Sequence, residues 1–230
     1  MSFLADFVTG VIRPQCAGFQ TLFGRVIADY DDVEARAEAA GQAEWNRLMA
    51  QPVFDDNDGD MGAAADRANE VGQNFYDAMF PLGQSLQNLF TVGMFHSFEQ
   101  QLFLLHQVSR AGGNRPRSML GAFTWINDRF GIDPNVYPMT PRLNELRHAA
   151  NVIKHTEGES ARELRALRAE LFQHPGARGL VPAALFADGI PQQPLAGESI
   201  YVTRQDFDDY AAQVDAFWTT LAADFAARQL

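Results

Sequence analysis

The sequence feature that most constrains the fold is a run of large apolar residues at helical spacing near the middle of the chain. These residues are Phe90, Met94, Phe95, Phe98, Leu102 and Leu105. Positions three, four and seven apart lie on one face of an α-helix, whereas a half-buried strand would need every second residue to be apolar. A helix with such a face has to bury it against other elements. The sequence therefore predicts an all-α protein, a helical bundle built around this segment.

Most of the remaining sequence is typical of helices separated by short turns. Residues 2–50 are predicted to be helical with a break near Pro14, and residues 61–110 with a kink or break at Pro81. Further helices are predicted over residues 117–130, 140–155, 160–172 and 203–228. We expect a single helical domain over residues 1–230, with 61–230 as its core and 1–60 as an N-terminal appendage.

Turn and capping residues mark the ends of these helices. Gly131 is predicted to end one helix, and Thr140-Pro141 to begin the next. Ser160 to Glu163 and Thr203 to Asp206 are both predicted to be capping boxes. Residues 198–203 are predicted to form a short strand or an extended arm.

Composition excludes several classes of protein. The chain has 230 residues, of which 47% are hydrophobic, so it can bury its own core. The single cysteine, Cys16, excludes an intramolecular disulfide and favours a reducing compartment, so we expect a cytoplasmic protein. No segment approaches the uninterrupted apolar length that spans a bilayer, so no membrane partner is expected.

The net charge of −11 argues against a surface that binds nucleic acid indiscriminately. Basic residues nevertheless gather in one window, which favours either a local basic cleft or a solvated helix face. The window contains Arg142, Arg147, Lys154, Arg162, Arg165 and Arg168.

The stretch from Glu145 to His155 concentrates polar groups within one predicted helix. Successive residues turn by about 100°, so Arg147, Asn151 and His155 form a slowly drifting row in which Asn151 and His155 are neighbours one turn apart. We expect this row to line a cleft, with His148 and Lys154 beside it.

The metal and cofactor motifs are incomplete. His148 and His155 are about 10 Å apart along the helix axis and cannot share one metal ion. Glu145-x-x-His148 has the spacing of carboxylate di-iron bundles, which need a second such pair. The acidic residues 54–60 have their glycine in the wrong place for a calcium loop, so they are interpreted as a solvated turn. No phosphate-binding glycine motif is present, and no metal or cofactor is expected.

The other histidines have plainer interpretations. His96 and Glu99 are adjacent to the apolar stripe, which predicts either a hydrogen-bonded pair at the edge of the core or a pair that supports the cleft from behind. His106 and His174 are expected on the surface.

The run Asn151-Val152-Ile153-Lys154-His155, with Glu145-Leu146-Arg147 upstream, resembles the HEPN superfamily. These are small all-helical proteins, many of which are RNA-cutting toxins or effectors of bacterial defence and stress systems. In the family motif an arginine, usually followed by a polar residue such as Asn, precedes a His in the same helix. Here Ala150 stands directly before Asn151, and the nearest arginine is Arg147.

The resemblance implies metal-independent RNA cleavage at a site formed across a homodimer. His155 would exchange protons with the RNA, Asn151 would orient the His or the phosphate, and Arg147 or Lys154 would supply positive charge. The implied partners are RNA, a second copy and a neutralising or regulatory protein. Two alternatives stay open: a catalytically inactive HEPN-like module that binds other proteins, and a carboxylate-bridged di-metal protein.

Overall fold

The structure is a computed structural model that describes residues 2–30, 32–51, 58–110, 112–155, 158–179 and 200–229. This part of the chain is almost entirely helical and contains no strand, which confirms the predicted all-α bundle. The α-helices are α1 (Phe3–Phe7), α2 (Arg13–Ile27), α3 (Val33–Met49), α4 (Asp58–Ser109), α5 (Met119–Phe130), α6 (Thr140–His155), α7 (Glu159–Arg168) and α8 (Arg204–Ala227).

The two proline positions do not interrupt their helices. A π-helical turn, Val8–Ile12, joins α1 to α2 without a gap, and Pro14 lies in the first turn of α2. The prediction of a break near Pro14 is therefore wrong, because the wider turn accommodates a residue that has no N–H. Likewise α4 runs through Pro81, since helical packing continues on both sides of it.

The core forms where the second half of α4 meets α2, α5, α6 and α8. The predicted stripe is confirmed: Phe98 is 1% exposed and Leu102 is fully buried. The Phe98 ring packs edge-on against Phe217 and Trp218 of α8, with centroids 5.1 Å and 5.6 Å away. These contacts between large rings stabilise the core.

The first half of α4 projects beyond this core and pairs with α3. We call α3 together with residues 58–80 of α4 the arm. Among the described elements, the only extensive contacts of α3 are with α4. The N-terminal helices, by contrast, belong to the core, with Ile12 and Phe23 buried. The region that stands apart is thus the arm and not residues 1–60 as a whole.

The segment before α8 is extended but is not a strand in its described part, residues 200–203. Its backbone is held by side chains of α4: Gln84 donates to the carbonyl of Val202 at 2.9 Å, and Asn88 to that of Ile200 at 3.0 Å. The Tyr201 N–H donates to the carbonyl of Leu171. Residues 198 and 199 of the predicted strand lie outside the described residues, as do 54–57 of the acidic turn.

The predicted helix ends at Gly131 and Thr203 are confirmed. Gly131 adopts the left-handed conformation, with φ of 64°, that ends α5. Thr203 and Asp206 form the capping box of α8. None of the helices that the structure describes combines the length and the apolar character needed to cross a membrane.

Candidate functional site

Helix α6 carries the candidate site, and its apolar residues fix how it lies in the bundle. Leu143, Leu146, Ala150 and Ile153 are buried in the core. The polar residues of α6 therefore divide into one set near its N-terminal half, enclosed by α7 and α8, and another at its C-terminal end. The two sets have different chemistry.

The enclosed set centres on the carboxylate of Glu145, which is 7% exposed. Its Oε1 accepts hydrogen bonds from Arg142 at 2.5 Å, Arg168 at 3.1 Å and the Tyr210 hydroxyl at 2.8 Å. Arg168 also donates to Asp206 at 2.7 Å. We call these five residues the ionic network. It ties α6, α7 and α8 together, and a buried charge of this kind is tolerated because it is paired and hydrogen-bonded.

The ionization of the network follows from its contacts. Burial opposes the charge on Arg168, but its hydrogen bonds to Asp206 and Glu170 outweigh burial and raise the pKa of Arg168. Burial also opposes the charge on Asp206, yet bonds from Thr203 and Arg168 lower the pKa of that carboxyl. Burial and the nearby Glu145 raise the pKa of Tyr210. Within the network, a charged Arg168 is therefore held against a charged Asp206.

This pairing changes the interpretation of the basic window. Arg142 and Arg168 contact Glu145 and Asp206, so they do not form a free basic cleft. Sequence spacing does not reveal the network, because its two acids, Glu145 of α6 and Asp206 of α8, are about sixty residues apart. The one available signal was the Thr203 capping box, which placed Asp206 at the start of α8.

Arg147 and His148 contact each other on the next part of α6. Nη2 of Arg147 donates to Nε2 of His148 at 2.9 Å, and the residue His148 is 8% exposed. Burial and the positive charge of Arg147 lower the pKa of His148, and burial lowers the pKa of Arg147. His148 is thus neutral and enclosed, which is not the position expected for a substrate-binding residue.

The C-terminal end of α6 is accessible. Lys154 and His155 are exposed in its last turn, and Asn151 is half-buried one turn earlier. Asn151 Nδ2 donates to Ser160 Oγ at 3.3 Å. The predicted capping box at Ser160 is wrong, because α7 begins at Glu159 and Ser160 lies inside this helix.

Of the predicted row of Arg147, Asn151 and His155, the structure places only the last two side by side. Asn151 and His155 remain neighbours, and the side chain of His155 is not enclosed by the bundle. Arg147 is two helical turns, or about 12 Å, from His155 along the axis and is engaged by His148. Ala150 is fully buried, so its position points into the core.

His96 and Glu99 do not support this site. His96 is exposed, so the predicted core or boundary pair is wrong for it. Glu99 Oε1 accepts a hydrogen bond from the backbone N–H of Met119 at 3.0 Å and so stabilises the start of α5. Both expectations rest on the position of these residues beside the apolar stripe. That position does not show whether a side chain faces the core or the solvent.

His106 and His174 are also placed differently from the prediction. The His106 ring packs edge-on against Trp125 with centroids 4.9 Å apart, and both of its nitrogens are buried. His174 contacts Phe80 at 4.6 Å and Tyr201 at 5.3 Å. Each is partly buried among aromatic rings and is not a plain surface residue.

Contacts between helices show at which end of the molecule His155 lies. Helix α8 runs parallel to α4, because Asn88 of α4 contacts Ile200 before α8 and Phe98 contacts Phe217 further along. The start of α8 is therefore at the end of the bundle from which the arm projects.

Helix α6 runs in the opposite direction. Tyr137, before α6, bonds to Asp224 near the end of α8, whereas Glu145 bonds to Tyr210 near its start. Continuing along α6 leads past the start of α8 to His155. The candidate site and the base of the arm thus lie at the same end of the bundle.

The structure offers no support for the di-metal interpretation. Glu145 of the Glu145-x-x-His148 pair is already bonded to two arginines and a tyrosine. Within the described ranges, no three His, Cys, Asp or Glu residues are grouped so that they could hold a metal ion.

Comparisons with known proteins add no family to this description. No family model matches the chain, and neither a curated protein nor a solved structure matches it.

Proposed function

We propose that the C-terminal end of α6 is a site for metal-independent cleavage of RNA, as the resemblance to HEPN proteins implies. The observation that carries the proposal is the joint exposure of Lys154 and His155 in the last turn, with Asn151 one turn away. An imidazole exchanges protons near neutral pH, an ammonium attracts phosphate, and an amide can orient either one. No other group of described residues presents these three chemistries at one accessible point.

The reaction would be an internal transfer within the RNA. His155 takes the proton of a ribose 2′-hydroxyl, and the 2′-oxygen attacks the adjacent phosphorus. The bond to the 5′-oxygen breaks, and that oxygen takes a proton from a second acid or from water. The products are a 2′,3′-cyclic phosphate and a 5′-hydroxyl end, while Lys154 stabilises the charge that develops on the phosphate.

A second copy of the chain is part of this proposal. Arg147 contacts His148 and lies two turns from His155, so Lys154 is the cation of α6 that adjoins His155. Two α6 ends that meet in a homodimer would supply a second imidazole as the acid and a second lysine for the phosphate. We place this activity in the cytoplasm, where a chain with one cysteine stays reduced.

A second candidate is an inactive module that binds proteins. One observation favours it: the position directly before Asn151, where the family motif has an arginine, is a fully buried alanine. In that case Lys154 and His155 would form part of a binding surface and would do no chemistry.

An RNA digestion distinguishes the two candidates. Purified protein is incubated with tRNA and mixed cellular RNA in EDTA, and the ends of the products are analysed. The nuclease is supported if the products carry 2′,3′-cyclic phosphates and if cleavage is lost in His155→Ala but persists in His96→Ala. His96 serves as the control because it is an exposed histidine outside the site. Intact RNA with wild-type dimer supports the inactive module. Cleavage of equal strength in His155→Ala contradicts the proposed site.

A further inference from the structure

The arm contains a groove that the rest of the described chain leaves open. It follows α3 and α4 side by side for about three turns and has a volume of ≈ 670 Å³. Its α3 side is formed by Glu34, Ala37, Glu38, Gly41, Gln42 and Trp45. The residues on α4 repeat at the same helical spacing, from Ala65 to Tyr76. A straight groove between two parallel or antiparallel helices has the shape that a third helix fills.

Glycines at the bottom of the groove bring the two helices close together. A Cβ atom at Gly41 would lie 3.0 Å from the carbonyl oxygen of Ala68, and one at Gly72 would lie 3.0 Å from that of Ala37. Close approach of the backbones leaves a shallow floor of small residues. The larger side chains then stand along the sides, where an incoming helix could contact them.

The arm is poorly stabilised by its own packing. The buried residues described in α3 and in the first half of α4 are Val33 and three alanines, Ala37, Ala64 and Ala68. Trp45 and Tyr76 are only partly buried, and both line the groove. Two helices alone seldom bury enough apolar surface to be stable, whereas a third helix against these rings would complete a small core.

The charge of the groove identifies the kind of helix that it fits. Neither Glu34 nor Glu38 forms an ion pair with a described residue, and both lie along the groove. Burial, Glu34 and Asp77 raise the pKa of Tyr76, which shows the negative potential at one end. The acids of the arm are Glu34, Glu38, Glu44, Asp58, Asp60, Asp66, Glu70 and Asp77, and its bases are Arg36, Arg47 and Arg67.

We propose that this groove binds one basic amphipathic helix of a partner protein, with apolar side chains against Trp45 and Tyr76 and lysines or arginines against Glu34 and Glu38. Aromatic anchors beside unpaired charges are the usual source of affinity and specificity in such an interface. A second copy of the arm is a poor occupant, because it would place acids against acids. A helix bound here would sit at the end of the bundle that carries His155, although its binding does not depend on RNA cleavage.

Binding is tested with a labelled eighteen-residue leucine/lysine peptide that forms an amphipathic helix, and with a matched leucine/glutamate peptide. Fluorescence anisotropy with the full chain is expected to detect the lysine peptide and not the glutamate peptide. The double variant Trp45→Ala/Tyr76→Ala and the double variant Glu34→Lys/Glu38→Lys should each weaken binding by at least about tenfold.

The control reverses two charges on the same arm outside the groove. Asp66→Lys/Glu70→Lys makes the same change in net charge, so a groove-specific interaction should weaken by less than about threefold. An equal loss in the control variant would show a general attraction to an acidic protein and would overturn the proposal. Failure of the lysine peptide to bind wild type would also overturn it. If wild type self-associates in sedimentation and the Trp45→Ala/Tyr76→Ala variant does not, the occupant of the groove is a second copy, and the proposal is likewise overturned.

Discussion

The two halves of α4 belong to one continuous helix but are stabilised in different ways. In the second half Phe98 packs against the rings of Phe217 and Trp218 in α8, and Leu102 is fully buried. In the first half the buried residues are Ala64 and Ala68, and the helix contacts α3 through glycines. Burial of large apolar side chains is the main source of stability, so the second half should be much harder to open.

This difference separates two roles within the molecule. The bundle, which includes the ionic network, holds α6 firmly and so fixes the direction in which its C-terminal end points. The arm depends on helix propensity, surface ion pairs and a narrow seam of small residues. A region with few apolar contacts of its own is suited to gaining them from a partner.

The largest expected effect comes from truncating matched tryptophans in the two regions. Trp218 is fully buried, so Trp218→Ala should lower the free energy of unfolding by about 3–5 kcal/mol. Trp45→Ala in the arm should cost about 1 kcal/mol or less, because its ring is only partly buried. Urea titration followed by circular dichroism measures both. Similar losses in the two variants would remove the distinction between the regions.

The next effect concerns ion pairs. Arg168→Met leaves Glu145 and Asp206 without one of their buried partners and should cost about 3 kcal/mol. Arg47→Met removes a pair with Glu44 in which the arginine is 59% exposed, and should change stability far less, because water screens an exposed ion pair. Thermal unfolding of both variants checks the order. A loss from Arg47→Met as large as that from Arg168→Met would contradict it.

A smaller and local effect is expected where Gly41 of α3 and Gly72 of α4 bring the two helices together, a contact that we call the glycine seam. Leu at Gly72 would collide with the backbone of Ala37, so Gly72→Leu should push α3 away and speed proteolysis of the arm. A Cβ atom at Gly62, by contrast, would meet no atom within 4 Å, so Gly62→Ala should stabilise the helix by up to about 1 kcal/mol. Limited proteolysis compares them. Equal cleavage of both variants and wild type would show that the seam does not hold the arm together.

The smallest expected effect is a change in the stability of the bundle with pH, caused by His148. Since burial lowers the pKa of His148 in the folded chain, the unfolded chain binds a proton first as the pH falls below about 6.5. Stability contributed by neutral His148 is thus present above that pH and decreases below it. When the pH is lowered from 7.5 to 6.0, the melting temperature of wild type should decrease more than that of His148→Gln. His96→Gln is the exposed control and should behave like wild type.

Periodicity and turn chemistry predicted the fold well because both are local. The Phe98 stripe, the end of α5 at Gly131 and the capping residue Thr203 were all identified from neighbouring residues. The helix does not break at Pro14 or at Pro81, because a π turn at the first and tertiary packing at the second compensate for a missing hydrogen bond. The kink that was the other expectation at Pro81 stays a prediction.

The candidate site was predictable only in part. Asn151 and His155 share one face of α6, as their spacing required, and this follows from helix geometry alone. The burial of His148, the exposure of His96 and the contacts of Glu145 with Arg168 and Tyr210 depend on how distant segments meet. Spacing within one helix carries no information about such contacts.

Native-state hydrogen exchange resolved along α4 tests the division into bundle and arm most directly. If the account is correct, amides in residues 62–78 exchange at least about tenfold faster than those in residues 92–106, and low urea concentrations leave the difference unchanged. Uniform protection along the whole of α4 would show that arm and bundle open as one unit, and would contradict it.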